Sequence, residues 1–305
     1  MEQSNILEIY NVTKSFGKFL ALKNVSFDVK KGRIVGLLGK NGAGKTTLIK
    51  TILGLLRNFD GKIMYDGRII DTSNPAVMNT IGSLVETSFH EDLSAFDNLK
   101  LLMMSTPIDG FDDYKQRIYE LLTLVDLKAH AKSKVKSFSF GMKQRLALAQ
   151  ALLTEPKLLI LDEPFVGLDP PGIELIKNKL TSLCHDNNVS IIFSSHQLSD
   201  VAEISDDIVV ISGGEIGYCG SYEQLLNDSK RYRIHLRQAV TPEMYSAFDD
   251  SGIEVIDDGK VVIAGQTEIN SDDALNQALK QIYAFNLEVS NISVEENALI
   301  GLFSD

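Results

Sequence analysis

The chain has 305 residues, 44 % of them hydrophobic and 23 % charged, with a formal net charge of −11 and a sequence pI near 5.0. It is long enough to bury a substantial core without staples and lies outside the disordered, collagenous and disulfide-rich classes. The acidic balance speaks against nucleic acid as a partner, and two cysteines without CxxC spacing suggest neither a disulfide framework nor a zinc site and fit a reducing cytoplasm.

In chain order, the opening MEQSNILEIY lacks the basic-then-apolar pattern of a secretory signal. No uninterrupted apolar run reaches about 18 residues, so the chain is not expected to cross a bilayer by itself. Residues 24–29 alternate as a half-buried strand, and residues 33–38 form a continuous apolar strand suited to a covered parallel sheet. Helical periodicity follows over 46–56, 114–127, 142–153 and 172–184, with further covered strands over 157–161, 189–194 and 208–211. Strands alternating with helices imply an α/β domain over residues 4–220 with a helical insertion over 89–153. From residue 221 the pattern restarts: a strand over 231–237, a helix over 242–249, strands over 253–256 and 261–264 joined by Asp258-Gly259, a helix over 273–285 and a strand over 287–292. That βαββαβ order predicts a small ferredoxin-like α+β domain over 221–305.

GKNGAGKTT, residues 39–47, contains GxxxxGK[ST] directly after an apolar strand and directly before a helix, the context in which that motif binds nucleotide phosphates. Gly39, Gly42 and Gly44 let backbone amides, with those of Asn41 and Thr47, close around phosphate oxygens at a helix N-terminus. Lys45 then reaches the β- and γ-phosphates of ATP, and Thr46 offers a hydroxyl to Mg²⁺. KLLILDEP, residues 157–164, is an apolar strand ending in two carboxylates. Beside a phosphate loop, Asp162 is placed to orient Mg²⁺ and Glu163 to polarise the attacking water.

FSFGMKQRLALAQALL, residues 138–153, resembles the LSGGQ signature that separates ATP-binding cassette ATPases from other phosphate-loop enzymes. GLDP, residues 167–170, resembles that family's D-loop, which brings in Asp169, and SSH, residues 194–196, resembles its switch histidine, His196. Phe16 in KSFG matches the aromatic that stacks on adenine. The resemblance implies that Ser139 and Gly141 contact the γ-phosphate held by a second copy, so two chains face head to tail and trap two ATP molecules. It also implies an integral-membrane permease as partner and a place on the cytoplasmic face of a bacterial membrane.

Two departures from the family pattern carry information. Phe140 and Met142 replace the first glycine and the glutamine of the signature. Glu86 stands where most of the family has a glutamine that senses Mg²⁺ and the membrane partner, and a carboxylate remains a hard oxygen ligand. Together with FSFGMKQR and the C-terminal extension, Glu86 makes the chain look most like bacitracin-resistance and lantibiotic self-immunity exporters of Gram-positive bacteria. In that resemblance residues 88–102, which mix Phe89, Leu93 and Phe96 with acids, form the groove for the permease's coupling helix. The expected function is therefore ATP hydrolysis driving export of a peptide antibiotic or bacteriocin. The rival is a soluble cassette ATPase such as one serving iron–sulfur assembly.

Overall fold

The computed structural model describes residues 4–86, 88–105, 114–241, 244–245, 248, 253–256, 261–264 and 271–296. The chain divides into two compact units, Met1–Cys219 and Gly220–Asp305.

The first unit opens with a long antiparallel hairpin, β1 (Asn5–Phe16) and β2 (Phe19–Lys30), turned at Gly17. The predicted strand at 24–29 is the second half of β2. β3 (Ile34–Leu38) is buried at every position and leads through the glycine-rich loop into α1 (Lys45–Ile52). This helix stops earlier than its apolar period suggests. Gly54 adopts a left-handed φ of 70°, and the Gly54 and Leu55 amides turn back onto the Thr51 and Lys50 carbonyls, closing the helix end. β4 (Asp60–Tyr65) and the short β5 (Arg68–Ile69) complete an antiparallel sheet of order β2-β1-β4-β5, most of which the sequence reading did not anticipate.

A short α2 (Pro75–Met78), capped by Asn74, precedes β6 (Ile81–Leu84). The helical insertion then supplies α3 (Ala95–Ser105), α4 (Tyr114–Leu124) and α5 (Phe140–Ala151). The chain returns as β7 (Leu158–Leu161), α6 (Pro170–Asn187), β8 (Ser190–Ser195), α7 (Leu198–Ile204), β9 (Asp207–Ser212) and β10 (Glu215–Ser221). The six strands run in the order β10-β9-β3-β8-β7-β6, and β9, β3, β8, β7 and β6 are parallel. A single apolar core joins the two sheets through residues such as Leu7, Leu22, Leu37, Leu48, Ile160 and Ile192. Each such side chain contributes about 1.5–3 kcal/mol on burial, which is why uninterrupted apolar runs settle in the middle of this sheet.

The second unit holds α8 (Tyr222–Ser229), β11 (Lys230–Leu236), β12 (Glu254–Ile256), β13 (Val261–Ala264), α9 (Ser271–Ala284) and β14 (Val289–Glu296). Its all-antiparallel order β12-β13-β11-β14 is the ferredoxin-like arrangement. Ile234, Phe248, Val262, Ala278 and Ile282 centre its core. The Asp258-Gly259 turn and most of the helix expected over 242–249 lie outside the described residues. Among the described residues no helix is long and apolar enough to cross a membrane.

Candidate active site

The parallel strands deliver their chemistry to one sheet edge, where the loops after β3, β6, β7 and β8 meet. After Leu38 the chain must be glycine: a Cβ on Gly39 would stand 2.6 Å from the Ile211 carbonyl oxygen. Gly44 caps α1 at φ 115°, a conformation L side chains rarely adopt, and no side chain caps the helix. The first-turn amides, which have no intrahelical acceptor, therefore face the loop together with the positive end of the helix dipole. Lys45 is only 5 % exposed. Its Nζ donates to the Gly39 carbonyl at 2.6 Å and sits 3.2 Å from Glu163 Oε1.

The two carboxylates after β7 are locked from both sides. Asp162 accepts the Thr46 hydroxyl on Oδ2 at 2.7 Å and the Ser194 hydroxyl on Oδ1 at 2.6 Å. The Ser194 oxygen in turn accepts the Glu163 amide at 2.8 Å. Glu163 has φ 48°, a left-handed conformation that costs a non-glycine residue about 1–2 kcal/mol and marks a geometry imposed by its surroundings. His196 Nδ1 lies 3.0 Å from Glu163 Oε2, so one carboxylate stands between a buried ammonium and an imidazole. The set can hold an anion at the loop, offer oxygen ligands to a divalent cation beside it, and accept a proton from water.

The other expected site residues make different contacts. Glu86, at φ 46°, pairs with Lys50 at 2.6 Å; among the described residues it shares no hydrogen bond or ion pair with Thr46 or Asp162. Phe16 ends β1, is 47 % exposed as a residue, and has the Lys14 ammonium 5.1 Å from its ring centroid. Asn41 is exposed in the phosphate loop, and Thr47 follows Thr46 in α1. Ser139 is the exposed N-cap of α5, accepting the Met142 amide at 3.2 Å, with Gly141 in the first turn. The Phe140 ring lies on the D-loop, where a Cβ on Gly167 would come within 2.4 Å of it. Asp169 precedes α6 as its exposed N-cap residue.

Sequence reading gave no role to Ser194 or Gln144. Ser194 is fully buried at the end of an apolar strand, and a hydroxyl there must find partners; that was the available signal. Gln144 Nε2 donates to the Glu163 and Pro164 carbonyls at 3.4 and 3.3 Å, a contact between distant segments with no local signature. The cysteine reading also passed over His185 beside Cys184. Ligand atoms of these two and Asp206 lie within 4.8 Å of one another, and burial, with Asp206 nearby, pushes the Cys184 thiol up to about 11.

Residues 22–166 match the family model described as ABC transporter. Over 98 % of this chain and 96 % of the relative, the sequence is 34 % identical to a bacitracin transport ATP-binding protein of Bacillus licheniformis. It is 40 % identical to a lantibiotic transport ATP-binding protein of Streptococcus pyogenes, over 73 % of this chain and 96 % of the relative. Among solved structures it is similar to a bacterial ABC transporter cassette solved as a dimer, with a TM-score of 0.64 and 25 % identity, covering 70 % of this chain and 98 % of that one.

Proposed function

This chain belongs to the ABC transporter family, and we propose that Glu163 is the base of its ATP hydrolysis, working within a homodimer beneath a membrane permease. That it is the ATP-binding, ATP-hydrolysing subunit of a transporter is shown by the family and by a relative matching the whole chain; the soluble iron–sulfur alternative falls. The observation that carries the residue assignment is the continuous set Thr46–Asp162–Ser194–Glu163–His196, with Lys45 closing it.

In this reading the amides of the loop from Gly39 to Thr46 and the Lys45 ammonium hold the phosphates, and Lys45 exchanges Glu163 for the γ-phosphate. Glu163, released from that pair, takes the proton of the attacking water, while His196 donates to the γ-phosphate. Thr46 and Asp162 present only oxygen donors side by side, a set that suits Mg²⁺. Thr46 and Asp162 would hold such an ion, which would supply neutralisation of the phosphate charge. Glu86 joins this metal side by giving up Lys50.

Phe16 is exposed enough to stack on adenine. Ser139 and Gly141, at the open N-terminus of α5, and Asp169 are free to face the nucleotide of a second copy. The likeness to a cassette solved as a dimer supports that assembly. The cargo we assign is a peptide antibiotic or bacteriocin moved outward, on the strength of relatives named for bacitracin and lantibiotic transport. The permease engages residues 88–102 at the cytoplasmic face of a bacterial membrane; of the three apolar side chains expected to be exposed there, Leu93 is, while Phe89 and Phe96 are half-buried, Phe96 against Tyr119. Residues 221–305 form an accessory domain.

Glu163→Gln tests the core of this reading. ATP binding should persist and kcat should fall by about three orders of magnitude, because the water loses its acceptor while the phosphate cradle remains. Hydrolysis at the parent rate would sink the assignment.

A further inference from the structure

Behind the residues that face the nucleotide, one buried cation ties together three segments that carry them. Lys177, on α6, is 6 % exposed. Its Nζ lies 3.0 Å from Asp200 Oδ1 and 2.6 Å from Glu203 Oε2, both on α7, and 5.5 Å from the Phe165 ring centroid. Burial pulls the lysine pKa down, but the hydrogen bonds and charges of Glu203 and Asp200 more than offset it and leave the pKa raised, so the ammonium stays charged at neutral pH.

Two of these contacts, Phe165 and Asp200, lead to loops that carry the proposed catalytic residues. Phe165 is two residues past Glu163 and packs edge-on against Phe193 of β8. Asp200 Oδ2 accepts the Ser195 hydroxyl at 3.3 Å, and the Ser195 oxygen accepts the Gln197 amide at 3.0 Å. Ser195 and Gln197 flank His196, so the backbone on both sides of the imidazole is tied to Asp200 and through it to Lys177. The same lysine sits on the helix that begins just after Asp169. A cavity of about 290 Å³ lined by Glu163, Phe165, Gly167, His196 and Asp200 opens among these loops. Packing is therefore incomplete where the 3.0 Å approach of Glu163 to His196 must be maintained, and polar ties have to supply the alignment.

We propose that Lys177, acting through Asp200 and Ser195, is a positioning residue that holds Glu163 and His196 in register and links both to the helix that follows the D-loop. The inference rests on the roles given above to Glu163 and His196 and adds the element that aligns them. A purely structural ion cluster would only stabilise the packing of α6 on α7; a positioning element changes turnover at constant nucleotide affinity.

The test measures melting temperature, ATP dissociation constant and kcat on the full chain. Breaking the cluster at one member leaves buried unpaired charge, so the main variant neutralises all three: Lys177→Met with Asp200→Asn and Glu203→Gln. Ser195→Ala, which removes one small hydroxyl, covers the case in which the triple variant does not fold. The expected result is ATP affinity within about twofold of the parent and a kcat lower by about 10–100-fold in the triple variant and by a smaller factor in Ser195→Ala. Lys177→Arg, which keeps the charge and stem, should recover most of the turnover. Parent kcat in Ser195→Ala or in a folded triple variant overturns the proposal, as does a loss of ATP affinity that matches the loss of kcat. If Glu163→Gln is inactive in the same assay while these variants are fully active, the inference fails and the role of Glu163 stands. If Glu163→Gln is itself active, the underlying reading is at fault.

Discussion

Glu163 and Glu86 are the same residue in the same backbone setting with different surroundings. Each lies two residues beyond the end of a parallel strand, β7 and β6, and those strands are neighbours in the sheet. Each takes a left-handed φ, 48° and 46°, and each meets a lysine of α1, Lys45 at its first turn and Lys50 at its last. What differs is enclosure. The Glu163 side chain is 24 % exposed, stands between Lys45 and His196, and has its amide held by Ser194; the Glu86 side chain is 76 % exposed and has Lys50 alone as an ion-pair partner among the described residues. Strand topology delivers both carboxylates to the same edge, and the density of partners is what separates Glu163, the proposed proton acceptor, from Glu86.

The sharpest way to break this comparison is to make the same conservative change at both positions. Glu163→Gln should lower kcat by about 10³-fold, whereas Glu86→Gln should leave it within a few-fold, because an amide still offers an oxygen to a metal but does not take a proton from water. Equal losses in a steady-state ATPase assay would show that the two acids share one role. Next in size is Glu86→Ala, which removes the oxygen altogether. Hydrolysis should survive while, under the proposed export role, resistance to bacitracin or a lantibiotic is lost in cells that also make the permease, and full resistance would reduce Glu86 to a solvated strand end.

Ser194→Ala probes the enclosure of Glu163. It leaves Asp162 Oδ1 without that donor and the Glu163 amide without its acceptor, so stability should fall by about 1–3 kcal/mol and kcat by about tenfold. A melting temperature and rate unchanged from the parent would show that Ser194 does not hold the acid. The smallest effect is at the backbone. Glu86→Gly should gain up to about 1 kcal/mol by relieving the left-handed φ, since the exposed pair with Lys50 contributes little. A lowered melting temperature would mean that the ion pair outweighs the strain.

The reach of sequence reasoning follows from how local each feature is. The phosphate loop was legible because its glycines, lysine and threonine lie within nine consecutive residues between a strand and a helix. Asp162 and Glu163 were legible because they close a run of four buried strand residues. The antiparallel sheet around β1 and β4 was largely missed, since its strands carry exposed and charged positions and positive-φ asparagines such as Asn11 that blur the alternation.

By itself, then, the sequence determined the α/β frame, the ferredoxin-like order of the second unit, and the motifs from which the phosphate-binding and water-activating roles are proposed, because these depend on hydrophobic period and on short contiguous segments. Tertiary structure alone decided that Ser194 bridges Asp162 to Glu163 across 32 and 31 residues, that Gln144 reaches the Glu163 carbonyl, and that Lys177 gathers Phe165, Asp200 and Glu203 around one charge. It also set Glu86 on Lys50. Hydrogen bonds and ion pairs of this kind join segments far apart in the chain, and their energy depends on distances of a few ångström that only the packed sheet and helices establish.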